Sequence, residues 1–367
     1  MSQQAGHTGQ AAEVFPPGEF IRDELEARGW TQREFAEILG RPAQVVNEIV
    51  NGKKKITPQT ALAIAKAFGT SPEMWLNLES AYRLSLAEAP DSDVRRRARL
   101  RELVPVRELE KRSWIRPTRN LEELEAEVCA FLEIGSPDEK PKLPIAARRS
   151  DAYGELSPSQ TAWVFRAKHE AAALNVPALS KKKLQEVLPG LSRLSVDRAG
   201  MSRVVPTLHA LGVRVVFVPH VKGARTDGAA FWLNARSPVV ALSFRYDRID
   251  WFWFTLLHEM AHVLRGHALG GRLDTDLVGK SAAPTGQKPK DEQEADRLAS
   301  DWLIRPGLLA TFVRDTRPFF SAKRVRAFAK EAGVHPGIVV GRLQHMGEIP
   351  WQNLRPMQVK ASDLLGP

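Results

Sequence analysis

The chain has 367 residues, a length typical of two or three domains. It is 43% hydrophobic and 26% charged, and its one cysteine, Cys129, excludes an internal disulfide framework. The net charge of +10 favours binding to a polyanion such as nucleic acid, although a globular protein can also simply be basic.

Residues 1–17 are polar and lack the apolar core of a signal peptide, so we expect a disordered tail there. No uncharged apolar run reaches the 18 residues that a membrane helix requires. We therefore expect a cytoplasmic protein.

The remaining chain is predicted to form a domain of compact helices at 18–88, a helical linker at 89–150 and a larger domain at 151–367. The linker carries the basic run Arg95-Arg96-Arg97. Such a helix can lie on DNA phosphates, but a solvated connecting helix is the more common reading.

The segment 31–51 has the local signals of two short helices joined by a tight turn. Thr31 can cap the first helix, and Glu34 completes a capping box. Gly40 suits the left-handed turn, and Pro42 can open the second helix. Residues that suit the helices, the turn and their contact stand at fixed distances along this segment: Gln32, Ala36, Gly40, Val46 and Ile49. This spacing is typical of a helix-turn-helix, and a plain helical bundle is the alternative.

Residues 18–86 resemble the Xre/Cro-type helix-turn-helix family, and within it the HigA-type antitoxins. The resemblance implies a five-helix DNA-binding domain, a homodimer on a palindromic operator and transcriptional repression, with a HigB-type toxin as a possible partner. It also implies a division of roles among the polar residues. Arg41, Gln44 and Asn47 would meet base edges, while Gln32, Lys53, Lys54 and Lys55 would contact phosphates.

The second half of the chain is predicted to be mainly α with a small β-sheet. Three β-branched or aromatic segments, at 213–218, 229–233 and 239–242, predict strands. A long helix is predicted at 247–264. A loop is predicted at 268–290, because the apolar residues there do not repeat at a regular spacing. Further helices are expected at 290–303, 321–332 and 336–346.

The long helix contains a metal-binding pattern. His258 and His262 are four residues apart, so their imidazoles share one face and can bind one Zn²⁺. Glu259 can act as general base toward water. The alternative is a histidine pair packed in the core.

A third ligand is expected on the next helix. We predict Glu294, with Glu292 as the runner-up, which gives a His₂Glu site open to water. Either acid could instead face solvent at a helix N-terminus. His267 does not fit, because it follows His262 by five residues and the alternative three-histidine pattern requires six.

The motif His258–His262, together with residues 294–306, resembles the ImmA/IrrE metallopeptidase family. The resemblance implies an α+β gluzincin-like domain that binds zinc through two histidines and a glutamate and acts on regulatory proteins. The loop 268–290 would be a lid or disordered. His335 could stabilise an oxyanion, although a turn role is the expected one.

The sequence therefore predicts a DNA-binding repressor or antitoxin, in a toxin–antitoxin, stress or phage-type circuit, that carries a zinc-dependent endopeptidase. The alternative is a non-proteolytic HigA-type antitoxin whose zincin-like domain only binds or senses a partner.

Overall fold

The computed structural model describes residues 14–87, 92–143, 156–266, 272–275 and 288–365. The chain divides into two units, residues 1–91 and 92–367. Most of the predicted tail lies outside the described residues, and the first helix begins at Pro17. Within the described ranges, no helix combines the length and the apolar composition that a membrane span needs.

The first unit is a bundle of five helices. They are α1 (Pro17–Arg28), α2 (Gln32–Ile38), α3 (Ala43–Val50), α4 (Pro58–Phe68) and α5 (Pro72–Leu86). Phe35, Ile64 and Trp75 are almost fully buried in one core, and the Trp75 indole donates to the Thr70 hydroxyl at 2.8 Å. The predicted five-helix domain is confirmed.

The turn between α2 and α3 has the predicted local chemistry. The Glu34 backbone N–H donates to the Thr31 hydroxyl, and the Thr31 N–H donates to the Glu34 carboxylate at 2.7 Å. Gly40 has a φ of +62°, the left-handed conformation that the sequence indicated. Gly18 of α1 lies against the Val50 carbonyl, where an added Cβ would be 1.9 Å from the oxygen. This close approach fixes α1 across the end of α3.

Within the described residues, the second unit begins with seven α-helices. They are α6 (Ser92–Leu103), α7 (Val106–Lys111), α8 (Leu121–Leu132), α9 (Pro158–Ala172), α10 (Lys181–Leu191), α11 (Arg198–Met201) and α12 (Val204–Ala210). Leu100, Leu109 and Val128 share one core with Phe165 of α9. Residues 92–143, which were predicted to form a linker, therefore pack as part of the second unit.

The basic run takes part in that packing. The Arg96 guanidinium contacts Glu125 of α8 at 2.6 Å and Asp93 at 3.3 Å. Arg99 donates to the Pro137 carbonyl at 3.1 Å. Arg95 and Arg97 are exposed. Two of these arginines thus hold α6 against its neighbours.

A four-stranded sheet follows. Its strands are β1 (Arg214–Phe217), β2 (Thr226–Trp232), β3 (Pro238–Leu242) and β4 (Arg272–Thr275), in the order β1-β3-β2-β4. β1 and β3 are parallel, and the other two pairs are antiparallel. The three predicted strands correspond to β1, β2 and β3. β4 was not predicted. It lies in the segment 268–290, for which a loop was expected.

Six helices complete the unit. They are α13 (Ile249–Arg265), α14 (Lys290–Leu303), α15 (Pro306–Thr316), α16 (Ala322–Ala332), α17 (Pro336–His345) and α18 (Ser362–Leu365). α13 packs on β2, β3, α14 and α17, so almost all of its side chains are buried. Trp253, Leu256 and Met260 fill the layer between this helix and its neighbours. The most enclosed helix of the unit therefore carries the predicted metal motif.

Candidate metal centre and nucleic-acid interface

The two histidines of the motif lie one turn apart on α13 and point the same way. His258 and His262 are fully buried, and their Nε2 atoms are 3.0 Å apart. An α-helix places residues i and i+4 on one face, which accounts for the convergence. Two buried imidazole nitrogens at this separation are a starting pair for a metal site.

Two carboxylates complete the group. Glu292, in the first turn of α14, places Oε2 at 3.2 Å from His258 Nε2 and Oε1 at 3.4 Å from His262 Nε2. Asp274 of β4 places Oδ2 at 3.7 Å from His258 Nε2. One donor atom from each of the four residues lies within 4.8 Å of the others, and all four side chains are buried.

These separations fit zinc. Ligand atoms about 2.1 Å from a tetrahedral ion lie roughly 3.4 Å from one another. The histidine and carboxylate atoms are 3.0 to 3.7 Å apart. Nitrogen and oxygen donors are also ones that zinc prefers.

The preferred third ligand of the sequence analysis, Glu294, does not join this group. Its carboxylate is 3.0 Å from the Arg265 guanidinium, and its side chain is one-third exposed. Side chains two positions apart on a helix point in directions that differ by roughly 200°. Because Glu292 faces the histidines, Glu294 must face elsewhere. The runner-up Glu292 is the residue that the structure brings to the histidines.

Asp296 contacts His258 on the ring nitrogen that faces away from the donor group, and the sequence analysis did not predict this contact. Its Oδ1 is 3.0 Å from His258 Nδ1, and its Oδ2 accepts from Lys288 Nζ at 2.7 Å. A carboxylate on the second ring nitrogen of a ligating histidine fixes the orientation and tautomer of the ring. The signal was present in the sequence, since Asp296 follows Glu292 by four residues and shares its face of α14.

The electrostatics of the group reflect buried charge. Burial opposes protonation of His258, yet contacts with Asp296, Glu292 and Asp274 raise its pKa to about 9. Burial opposes ionisation of Glu292, but hydrogen bonds to His258 and His262 lower the pKa of this carboxyl. The site therefore favours a positive charge among its carboxylates, which is what a divalent cation provides.

Glu259, the predicted general base, is fully buried between α13 and β2. Gly228 of β2 passes so close that an added Cβ would lie 2.5 Å from Glu259 Oε1 and 2.9 Å from Thr255 Cγ2. A larger residue at this position would have to displace the Glu259 or Thr255 side chain, so the glycine allows β2 to approach the motif this closely.

Other predicted positions have plainer roles or lie outside the described residues. His335 caps α17, because its Nδ1 accepts from the Gly337 backbone N–H at 3.0 Å. His335 therefore has the expected turn role, in which its Nδ1 accepts a backbone hydrogen bond. His267 lies outside the described residues, as does most of the loop 268–290.

In the first unit, the residues predicted to contact DNA lie on and around α3. Gln44 and Asn47 are exposed on this helix. Asn47 Nδ2 donates to Gln32 Oε1 at 3.2 Å, and Asn51 donates to Asn47 Oδ1 at 3.0 Å. These amides orient one another and join the N-terminus of α2 to α3.

The predicted cationic positions surround that amide group. Lys53, Lys54 and Lys55 are exposed directly after α3, and Lys54 Nζ lies 3.9 Å from Glu48. Arg41, at the entry to α3, is half-buried. Gln44 Nε2 donates to Glu48 Oε1 at 3.2 Å, so Glu48 moderates the positive charge.

Comparison with known proteins agrees with this geometry. A family model described as "Helix-turn-helix" matches residues 21–75. An uncharacterized HTH-type transcriptional regulator of Escherichia coli K12, YddM, is 38% identical over 89 residues, which are 24% of this chain and 89% of that protein. The chain belongs to this helix-turn-helix family.

Antitoxins are among the similar proteins of the family. Antitoxin HigA-1 of Vibrio cholerae is 37% identical over 65 residues, 17% of this chain and 61% of that protein. A solved structure of Pseudomonas aeruginosa antitoxin HigA with the higBA promoter shares 33% identity and covers 20% of this chain and 82% of its own, with a TM-score of 0.20. The family membership rests on the sequence matches, and it concerns a small part of the chain.

Proposed function

We propose that this chain is a DNA-binding transcriptional regulator of the HigA type whose second unit is a zinc-dependent endopeptidase. The observation that carries the enzymatic half is the buried convergence of His258, His262 and Glu292 beside Glu259. The observation that carries the DNA-binding half is the exposed amide and lysine surface on and after α3.

For DNA binding, α3 would enter the major groove. Gln44 and Asn47 can each donate to and accept from adenine, and Arg41 at the helix entry can pair with guanine. Gln32 and the three lysines 53–55 would contact phosphates, which position the protein without specifying sequence. A similar protein, antitoxin HigA of Pseudomonas aeruginosa, has been solved with promoter DNA, which is in keeping with a DNA partner here. A homodimer and a HigB-type toxin partner stay predictions of the resemblance.

For catalysis, zinc would be held by His258, His262 and Glu292. When bound, zinc supplies Lewis acidity toward water and toward a peptide carbonyl. Asp296 holds the His258 ring from its other nitrogen, and Lys288 holds Asp296. The Glu259 carboxylate would accept a proton from water as general base and then, as general acid, would deliver it to the leaving amine. The buried setting excludes bulk water from these groups.

Metal content by mass spectrometry tests the site. We expect one zinc per chain in the wild type and none in His262→Ala or Glu292→Gln. Glu294→Gln is the matched control, because it changes a glutamate two residues away that contacts Arg265 instead. No zinc in the wild type would contradict the proposal. The chain would then be a DNA-binding antitoxin with a binding scaffold.

Glu259→Gln separates the two activities. This variant should keep its zinc and its operator binding and lose peptide cleavage, because only the base is changed. Loss of operator binding in a variant with unaltered folding would contradict the modular assignment.

A further inference from the structure

The donor group contains one more protein ligand than a hydrolytic site uses. Catalytic zinc sites have three protein ligands and leave a fourth position to water or substrate, whereas structural sites fill all four. Here Asp274 joins His258, His262 and Glu292, and its carboxylate is 3.7 Å from His258 Nε2. Asp274 therefore places a donor atom close enough to those of the other three residues to fill a fourth position.

The strand that carries Asp274 also covers the neighbouring sheet edge. β4 pairs antiparallel with β2, and Asp274 stands opposite Gly228, with Leu273 opposite Ala229. Gly228 is the residue that lies against Glu259. The β4 backbone therefore occupies the edge of β2 beside the proposed base.

An extended peptide recognised by a sheet binds by adding a strand to an open edge. The other edge of β2 is already paired with β3, so the edge under β4 is where a substrate peptide could pair and lie beside Glu259. β4 has four residues, and its pairing with β2 shifts register between Thr226 and Gly228. A strand this short contributes few backbone hydrogen bonds, so a longer substrate strand can replace it.

We propose that Asp274 is a fourth protein ligand of the metal and that β4 occupies the substrate edge of β2, so that the peptidase is closed by its own chain. This inference rests on the proposed zinc peptidase function. Opening requires that β4 leave the edge of β2 and that Asp274 release the metal, both of which an extended peptide substrate can bring about by competition.

The test uses cobalt(II) as a spectroscopic replacement for zinc in the full chain, with acetohydroxamate as the probe of an open position. We compare the wild type with Asp274→Ala and Asp274→Asn. Asp315→Asn is the control, because it alters an exposed aspartate paired with Arg314. Circular dichroism verifies folding. The visible spectrum of Asp274→Ala should shift at hydroxamate concentrations at least about tenfold below those needed for the wild type, since the open position is available. Asp274→Asn, whose amide is a weaker ligand, should lie between them.

The outcomes separate the two proposals. If no variant and no wild-type protein binds cobalt or zinc, the proposed function fails. If all bind metal and respond to hydroxamate alike, the closure by Asp274 is wrong and the metal site stands. If Asp274→Ala and Asp274→Asn both fold but bind no metal, Asp274 is an essential structural ligand, which also overturns the closure.

Discussion

The close approach of β2 to the metal motif makes Gly228→Ala a sensitive perturbation. The added methyl would lie 2.5 Å from Glu259 Oε1 and 2.9 Å from Thr255 Cγ2, both far shorter than ordinary carbon contacts. Both neighbours are buried and belong to α13, so neither can rotate into solvent. Overpacking of this kind costs about 1–3 kcal/mol.

The expected result is a lower melting temperature of the second unit alone. A unit of this size shifts by about 2–4 °C per kcal/mol, so the transition should fall by roughly 2–12 °C. Differential scanning calorimetry can follow the second unit while the first serves as an internal reference. The variant should also lose cleavage, because the methyl displaces the Glu259 carboxylate.

Gly307→Ala is the matched control. Gly307 is exposed at the start of α15, and an added Cβ there would meet nothing within 4 Å. Alanine at a helical position is favoured over glycine by about 0.5–1 kcal/mol, so this variant should melt at or slightly above the wild-type temperature. If the melting temperature of Gly228→Ala equalled that of Gly307→Ala, the close packing of β2 on Glu259 would be refuted.

Three further predictions concern other parts of the chain. Thr31→Ala removes the two hydrogen bonds of the Thr31 hydroxyl with Glu34 and should destabilise the first unit by about 0.5–2 kcal/mol in urea titrations, with the second unit unchanged. Asn47→Ala should weaken operator binding by about 1–3 kcal/mol and relax its sequence specificity. Lys55→Ala should weaken binding to all DNA sequences alike and reduce the salt dependence of binding by about one counterion. Equal effects of the two variants would contradict the assignment of Asn47 to bases and Lys55 to phosphates. Asp296→Asn should lower zinc affinity by about 10–100-fold in chelator competition, and an unchanged affinity would show that Asp296 does not orient His258.

The local patterns were the most predictable part of the molecule. Thr31, Glu34 and Gly40 act within one or two helical turns of themselves, so their roles follow from sequence neighbours alone. The same holds for His258 and His262, whose common face depends only on helical periodicity. These positions needed no knowledge of which element packs on which.

Predictions that depend on the direction in which a helix faces, or on pairing between distant segments, were harder to make from the sequence. Glu292 and Glu294 differ only in direction around α14, and the direction is set by how α14 packs on α13. β4 has four residues with no alternating pattern, and it exists as a strand because β2 offers an edge. The positions of both proposed carboxylate ligands, Glu292 and Asp274, therefore depend on tertiary contacts.

Charge gives a physical reason for a closed site. Buried carboxylates are costly unless each is matched by a positive charge. Lys288 matches Asp296 at 2.7 Å, which leaves Glu292 and Asp274 as the two carboxylates of the donor group. A divalent cation would balance the charge of these two carboxylates when both bind it. Displacement of Asp274 leaves a net positive centre, which an electron-rich peptide carbonyl or a water molecule can stabilise. In the proposed closure, the charge balance favours Asp274 until a substrate replaces it, and the open and closed forms differ by one bound carboxylate.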